Sequence, residues 1–157
     1  MADQEIKSPS EYATLPAGTE VRYGQKGATI ATAALLQSAM AIGATGKKGV
    51  FMEVTRLIDR EPKYMADMGE GEDKTLVFID DPSDTVQEAL LSDADAKKTV
   101  VFFMKFPNKR ISEVELVLAG WSLQSVDTPK GKVLQVEVYG KQNSVKWSVE
   151  QPAGGSD

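Results

Sequence analysis

Apolar and polar residues alternate with period two through much of the second half of the chain, which predicts β-strands with one buried face. Across residues 111–123, Val114, Leu116 and Leu118 alternate with Glu113, Glu115 and Val117. Leu134, Val136 and Val138 alternate with Gln135, Glu137 and Tyr139, and Val145, Trp147 and Val149 alternate with Lys146, Ser148 and Glu150. Upstream, residues 21–23 form a short strand candidate and residues 75–79 a compact apolar run. Residues 50–58 read as a strand with Val50, Met52, Val54 and Ile58 on one face. Residues 99–106 are apolar on both faces, as in a strand covered from two sides. Pro107-Asn108 and the stretch 127–131 have turn composition.

One helix interrupts the strands. Asp81-Pro82-Ser83-Asp84 offers Asp81 as N-cap, proline at the first helical position and an acidic residue in the first turn. Val86, Ala89 and Leu90 then share a face, and the helix should fade by Asp95. Residues 28–40 suit a helix by composition and a strand by Thr29, Ile30 and Thr32. The expected fold is mainly β: an antiparallel sandwich or barrel of about seven strands with one flanking α-helix. Residues 1–18 read as an extended arm, 19–150 as one β-domain and 151–157 as a flexible tail. Within the domain, residues 59–74 form a long loop with Pro62, Gly69 and Gly71. Its acidic cluster surrounds Tyr64, Met65 and Met68, the kind of apolar anchors that interfaces use.

Composition narrows the chemistry. The 157 residues include no cysteine and no histidine. That excludes disulfides, zinc–thiolate sites and His-based nucleophilic or metal-dependent hydrolysis. No catalytic residues, metal site or cofactor are expected. Gly43-Ala44-Thr45-Gly46-Lys47-Lys48 departs from the phosphate-loop spacing and has no Ser or Thr after the lysine. Asp80-Asp81 are adjacent on extended chain and point apart, so the helix cap explains Asp81 better than two-carboxylate chemistry. Net charge is −5, which argues against gripping phosphate backbones. Residues 59–95 hold twelve acidic and three basic residues, a local balance of −9 that leaves +4 elsewhere. Blocks of opposite sign permit copies to associate. No segment is long and apolar enough to suggest a membrane partner. By period-two counting, Glu113, Glu115, Gln135 and Glu137 share the face opposite the apolar residues of two strands, a surface expected to be acidic and water-facing.

The order of parts resembles a known family. Thr75-Leu76-Val77-Phe78-Ile79, Asp-Pro-Ser-Asp, the helix Val86-Gln87-Glu88-Ala89-Leu90-Leu91, Phe102-Phe103-Met104-Lys105-Phe106-Pro107-Asn108 and Leu118-Ala119-Gly120-Trp121-Ser122 follow in the order seen in lambda-like siphophage tail tube proteins. The likeness spans about residues 49–140. It implies the tail-tube fold shared with contractile-tail and type VI secretion tubes, and a structural subunit that polymerises as stacked hexameric rings into a hollow, acidic-lined conduit for DNA. The implied place is the virion tail, assembled in the host cytoplasm. The implied partners are other copies of the chain, the tail terminator, tape measure and distal tail proteins, with DNA passing without adhesion. On that resemblance Glu113, Glu115, Gln135 and Glu137 become lumen candidates. Arg60, Tyr64, Met65, Met68, Glu70, Glu72 and Asp73 become ring-to-ring contact candidates, with the N-terminal arm as a second contact. A secretion or contractile-tail tube subunit is one alternative reading; a monomeric ligand-binding β-domain is another, from a different class.

Overall fold

The computed structural model describes residues 5–71, 73–126 and 133–150. In chain order its elements are α1 (Pro9–Tyr12), β1 (Glu20–Gln25), β2 (Ala34–Leu35), β3 (Ala39–Ala41), β4 (Lys47–Lys48), β5 (Phe51–Glu53), β6 (Tyr64–Ala66) and β7 (Glu70–Gly71). Then come β8 (Asp73–Ile79), α2 (Thr85–Asp95), β9 (Thr99–Lys105), β10 (Arg110–Leu123) and β11 (Gln135–Val149). The 14-residue β10 and 15-residue β11 form the backbone of the fold as one long antiparallel pair. Their inward residues Val114, Leu116, Leu118, Val136 and Val138 are buried, as the alternation predicts. Register shifts between Glu115 and Leu116 and between Leu118 and Trp121 interrupt the pairing, and bulges of this kind bend a strand and increase its twist. Gly140 leaves room for a core side chain: a Cβ there would lie 2.7 Å from the Leu116 side chain.

The main sheet has seven strands in the order β2-β1-β9-β10-β11-β8-β3. Its two edges are consecutive in sequence, with only residues 36–38 between β2 and β3. Six inter-strand spacings would put the edges of a flat sheet about 29 Å apart, whereas the link from Leu35 to Ala39 reaches at most about 14 Å. The sheet is therefore curled into a barrel, closed across this link where Leu36 N donates to Val21 O at 2.8 Å and Ile79 N to Ser38 O at 3.0 Å. The ambiguous residues 28–40 thus form turns and two short edge strands, and no helix. Their conformation is set by closure of the barrel rather than by propensity.

Inside lie Leu76, Phe78, Val100, Phe102, Met104 and the β10–β11 residues, with Leu90, Leu91 and Ala94 of α2 packed against them. The helix begins later than expected. Asp84 is its N-cap, with Oδ1 accepting from Val86 N at 3.0 Å. Asp81 closes a preceding turn instead, its Oδ1 accepting from Ser83 N and Ser83 Oγ. With its carboxylate engaged in that turn, Asp81 leaves the capping of the first helical turn to Asp84. Gln87 is fully buried yet saturated: it accepts from Asp81 N and donates to Ser38 Oγ and Ile79 O. One side chain thereby ties α2 to the end of β8 and to the barrel seam.

Two further expectations change. The expected strands 134–139 and 145–149 merge into one continuous strand, β11, which starts at Gln135. Residues 50–58 are not a core strand: only Phe51–Glu53 is extended, in a separate two-stranded ribbon, and Val50, Met52, Val54 and Ile58 are all exposed. The sheet still counts seven strands because β2 and β3 join it. In the arm, residues 5–18 include the single turn α1 and no buried residue. Residues 1–4, the expected turn at 127–131 and the tail 151–157 lie outside the described residues.

Candidate assembly surfaces

Residues 47–71 leave the barrel as a long ribbon. β4 pairs with β7 at its root, and β5 pairs with β6 farther out with Phe51 opposite Ala66, Met52 opposite Met65 and Glu53 opposite Tyr64. The expected loop 59–74 is thus the returning half of a hairpin plus the first residues of β8. Its tip is pinned by Arg56, whose guanidinium donates to both oxygens of Asp59; this holds the Asp59 carboxyl below its usual range. The root is pinned by close approach to β11: a Cβ on Gly71 would lie 1.8 Å from the carbonyl oxygen of Gln142. Gln142 is itself buried, with Oε1 accepting from Gly46 N at 2.9 Å.

Lys74, one residue into β8, completes the root. It is 1% exposed, and its Nζ donates to Gly43 O at 3.3 Å, Ala44 O at 3.0 Å and Thr45 Oγ1 at 2.7 Å. Burial pushes its ammonium down to about 8, while three oxygen acceptors work in the other direction by favouring the charged form. The lysine fastens the segment that launches the hairpin.

What the hairpin carries is unusual for a solvated ribbon. Val50, Phe51, Met52, Val54, Leu57, Ile58, Tyr64, Met65 and Met68 are all exposed. Fully burying one such side chain is worth about 1.5–3 kcal/mol, and an isolated two-stranded hairpin is marginal in water. Of the expected contact residues, Tyr64 and Met65 lie on β6, Arg60 is exposed in the connection between β5 and β6, and Met68 stands between β6 and β7. Glu70 belongs to β7. Glu72 lies outside the described residues. Asp73 opens β8 opposite Lys141, with 4.0 Å between their charged atoms, so it belongs to the barrel and not to a loop. Sequence reasoning missed Phe51, Leu57 and the whole outgoing arm. The available signal was Phe51 and Leu57 themselves, which break the one-sided pattern of residues 50–58.

The lumen candidates do share one face. Glu113, Glu115, Gln135 and Glu137 all point away from the core and are half-buried. The face is mixed in charge rather than acidic, because cross-strand pairing sets lysines among the carboxylates. Glu113 is opposite Lys146, Lys26 approaches Glu115 at 4.0 Å, and Lys141 is opposite Val117 in the same pair of strands. Glu137 is held by Gln124 Nε2 at 2.9 Å and Tyr139 OH at 2.8 Å. At the barrel end a groove of about 740 Å³ opens between the arm (Leu15, Pro16), the β3 segment (Met40, Ile42) and Phe106 and Trp147. Among the described residues no group of acidic side chains is arranged to hold a metal ion, and no helix is long and apolar enough to cross a membrane.

A family model for the phage tail tube protein family matches residues 14–150. The chain belongs to the phage tail tube protein family. That makes this tail tube protein a structural subunit of the virion tail. Solved structures show the same fold at low identity. The sheath–tube complex of an extracellular contractile injection system is 12% identical with a TM-score of 0.67, over 92% of this chain and 100% of that one. The tail of a gene transfer agent particle, refined with C6 symmetry, is 11% identical with a TM-score of 0.60, over 84% and 95%. The tail tube of SPP1 is 13% identical with a TM-score of 0.57, over 88% and 87%. No curated protein sequence matches the tail tube protein.

Proposed function

We propose that copies of this subunit associate into six-fold rings that stack into a hollow conduit for DNA, with no catalytic role. The observation that carries this reading is the hairpin 47–71, whose large apolar side chains are 40% exposed or more among the described residues. Six-fold symmetry is supported by the C6 symmetry of the gene transfer agent tail that shares the fold. The hairpin and the N-terminal arm make the ring-to-ring contacts, with Arg60, Tyr64, Met65, Met68, Glu70, Glu72 and Asp73 contributing there. The outward face of β10–β11, with Glu113, Glu115, Gln135 and Glu137, lines the lumen. Lys26 and Lys141 lie within 4.0 Å of Glu115 and Asp73, which weakens their grip on DNA phosphates. The tail terminator, tape measure and distal tail proteins cap and fill the tube, and assembly takes place in the host cytoplasm.

Replacing residues 50–67 by a short turn tests the reading. The variant is expected to remain folded and to stop at monomers or single rings in electron microscopy. Tubes of normal length would refute the role of the hairpin. Glu113→Lys with Glu115→Lys should leave tubes intact and slow DNA ejection from virions; unchanged ejection kinetics would remove these residues from the lumen.

A further inference from the structure

Register in the ribbon assigns its apolar residues to two opposite faces. Strand side chains alternate, and Phe51 pairs with Ala66, Met52 with Met65 and Glu53 with Tyr64. One face therefore presents Phe51, Glu53, Tyr64 and Ala66. The other presents Val50, Met52, Val54 and Met65, where Val54 N donates to Lys63 O and Asp67 N to Val50 O as the pairing continues. Phe51 and Tyr64 are 74% and 62% exposed, and Met52 and Met65 are 45% and 51% exposed. A hairpin that docks by one side needs one apolar face and keeps the other polar. Here both faces expose large apolar side chains, beside Glu53 on one and Lys63 and Asp67 on the other, and a single partner surface covers only one.

We propose that the hairpin is a two-sided wedge, held between two different copies of this chain, one against the Phe51–Tyr64 face and the other against the Met52–Met65 face. This deepens the tube reading and rests on it. Charge does not oppose other copies as the occupants, because residues 47–71 carry five acidic and five basic residues. The chain also offers an apolar seat of its own, the barrel-end groove lined by Leu15, Pro16, Met40, Ile42 and Trp147. A wedge of this kind makes each subunit bind two neighbours through one element, so losing either face leaves the ribbon half engaged.

The chain has no cysteine, so Phe51→Cys and Met52→Cys each place a benzophenone label at one site, on opposite faces. In assembled tubes both labels should form intersubunit cross-links, and the two should map to different peptides of the neighbouring subunits. The paired variants Phe51→Thr/Tyr64→Thr and Met52→Thr/Met65→Thr should each lower the sedimenting fraction about tenfold or more, with circular dichroism unchanged because the ribbon lies outside the core. Cross-links to one shared peptide, or one label without an intersubunit product, would overturn the two-sided wedge while leaving the tube reading standing. A wild-type chain that stays monomeric at high concentration would overturn both.

Discussion

Replacing Lys74 with methionine probes the root of the hairpin through pH. Lys74 is enclosed, bonded to Gly43 O, Ala44 O and Thr45 Oγ1, and among the described residues these partners carry no charge. Burial lowers its ammonium to about 8 from the ordinary 10.5. Between those values the unfolded chain binds more protons than the folded one, so stability rises with pH across that window. At about 1.4 kcal/mol per pH unit the full gap corresponds to about 3 kcal/mol, an upper bound because the three acceptors favour the charged form. Lys74→Met removes the titrating group and leaves the oxygens without their donor. In urea titrations of the monomeric fraction, wild type should gain up to about 3 kcal/mol relative to Lys74→Met between pH 8 and 10.5. No relative change is expected between pH 6 and 7. Parallel stability profiles for the two proteins across the whole range would refute the buried-ammonium account.

Gly71→Ala pushes a methyl group into the Gln142 carbonyl oxygen, 1.8 Å from the ideal Cβ position. Amide hydrogen exchange over residues 47–71 should accelerate markedly while the core of β9 and β10 stays protected; unchanged exchange would mean the root does not depend on this approach. Gln87→Leu orphans Asp81 N, Ile79 O and Ser38 Oγ. At about 1–3 kcal/mol per buried unsatisfied group, it should lower urea stability by at least about 2 kcal/mol, and a neutral result would contradict the tie between helix and seam. Glu150→Gln weakens a solvent-screened pair with Lys105 at 2.8 Å, so the urea midpoint should barely move; a large drop would show that the pair holds the end of β11.

Strands with one core face were legible because burial and alternation coincide in them: Val114, Leu116, Leu118, Val136 and Val138 are apolar by sequence and buried in the fold. Three things were not legible, each for a physical reason. The edge strands β2 and β3 have two and three residues, and they exist because barrel closure brings their partners within reach. The start of α2 had two candidate aspartates, and the choice of Asp84 depends on the turn that Asp81 makes with Ser83. The outgoing arm of the hairpin looked like a core strand because its apolar residues are suited to burial, and nothing local says whether the burying surface is this chain or another. Of the site residues, Tyr64 and Met65 were visible as apolar anchors in a polar stretch. Phe51, their counterpart on the outgoing arm, was hidden by the same ambiguity. The shared face of Glu113, Glu115, Gln135 and Glu137 followed from period two alone, whereas its mixed charge depends on register with Lys146 and on the fold-over of Lys26.

The central claim is that this subunit builds a tube from copies of itself, and electron microscopy of the purified protein across a concentration series tests it most directly. Six-fold rings stacked into hollow tubes, with sedimenting material that increases with concentration, is the predicted result. A folded, monodisperse monomer at every concentration, with its hairpin still exposed, would contradict it.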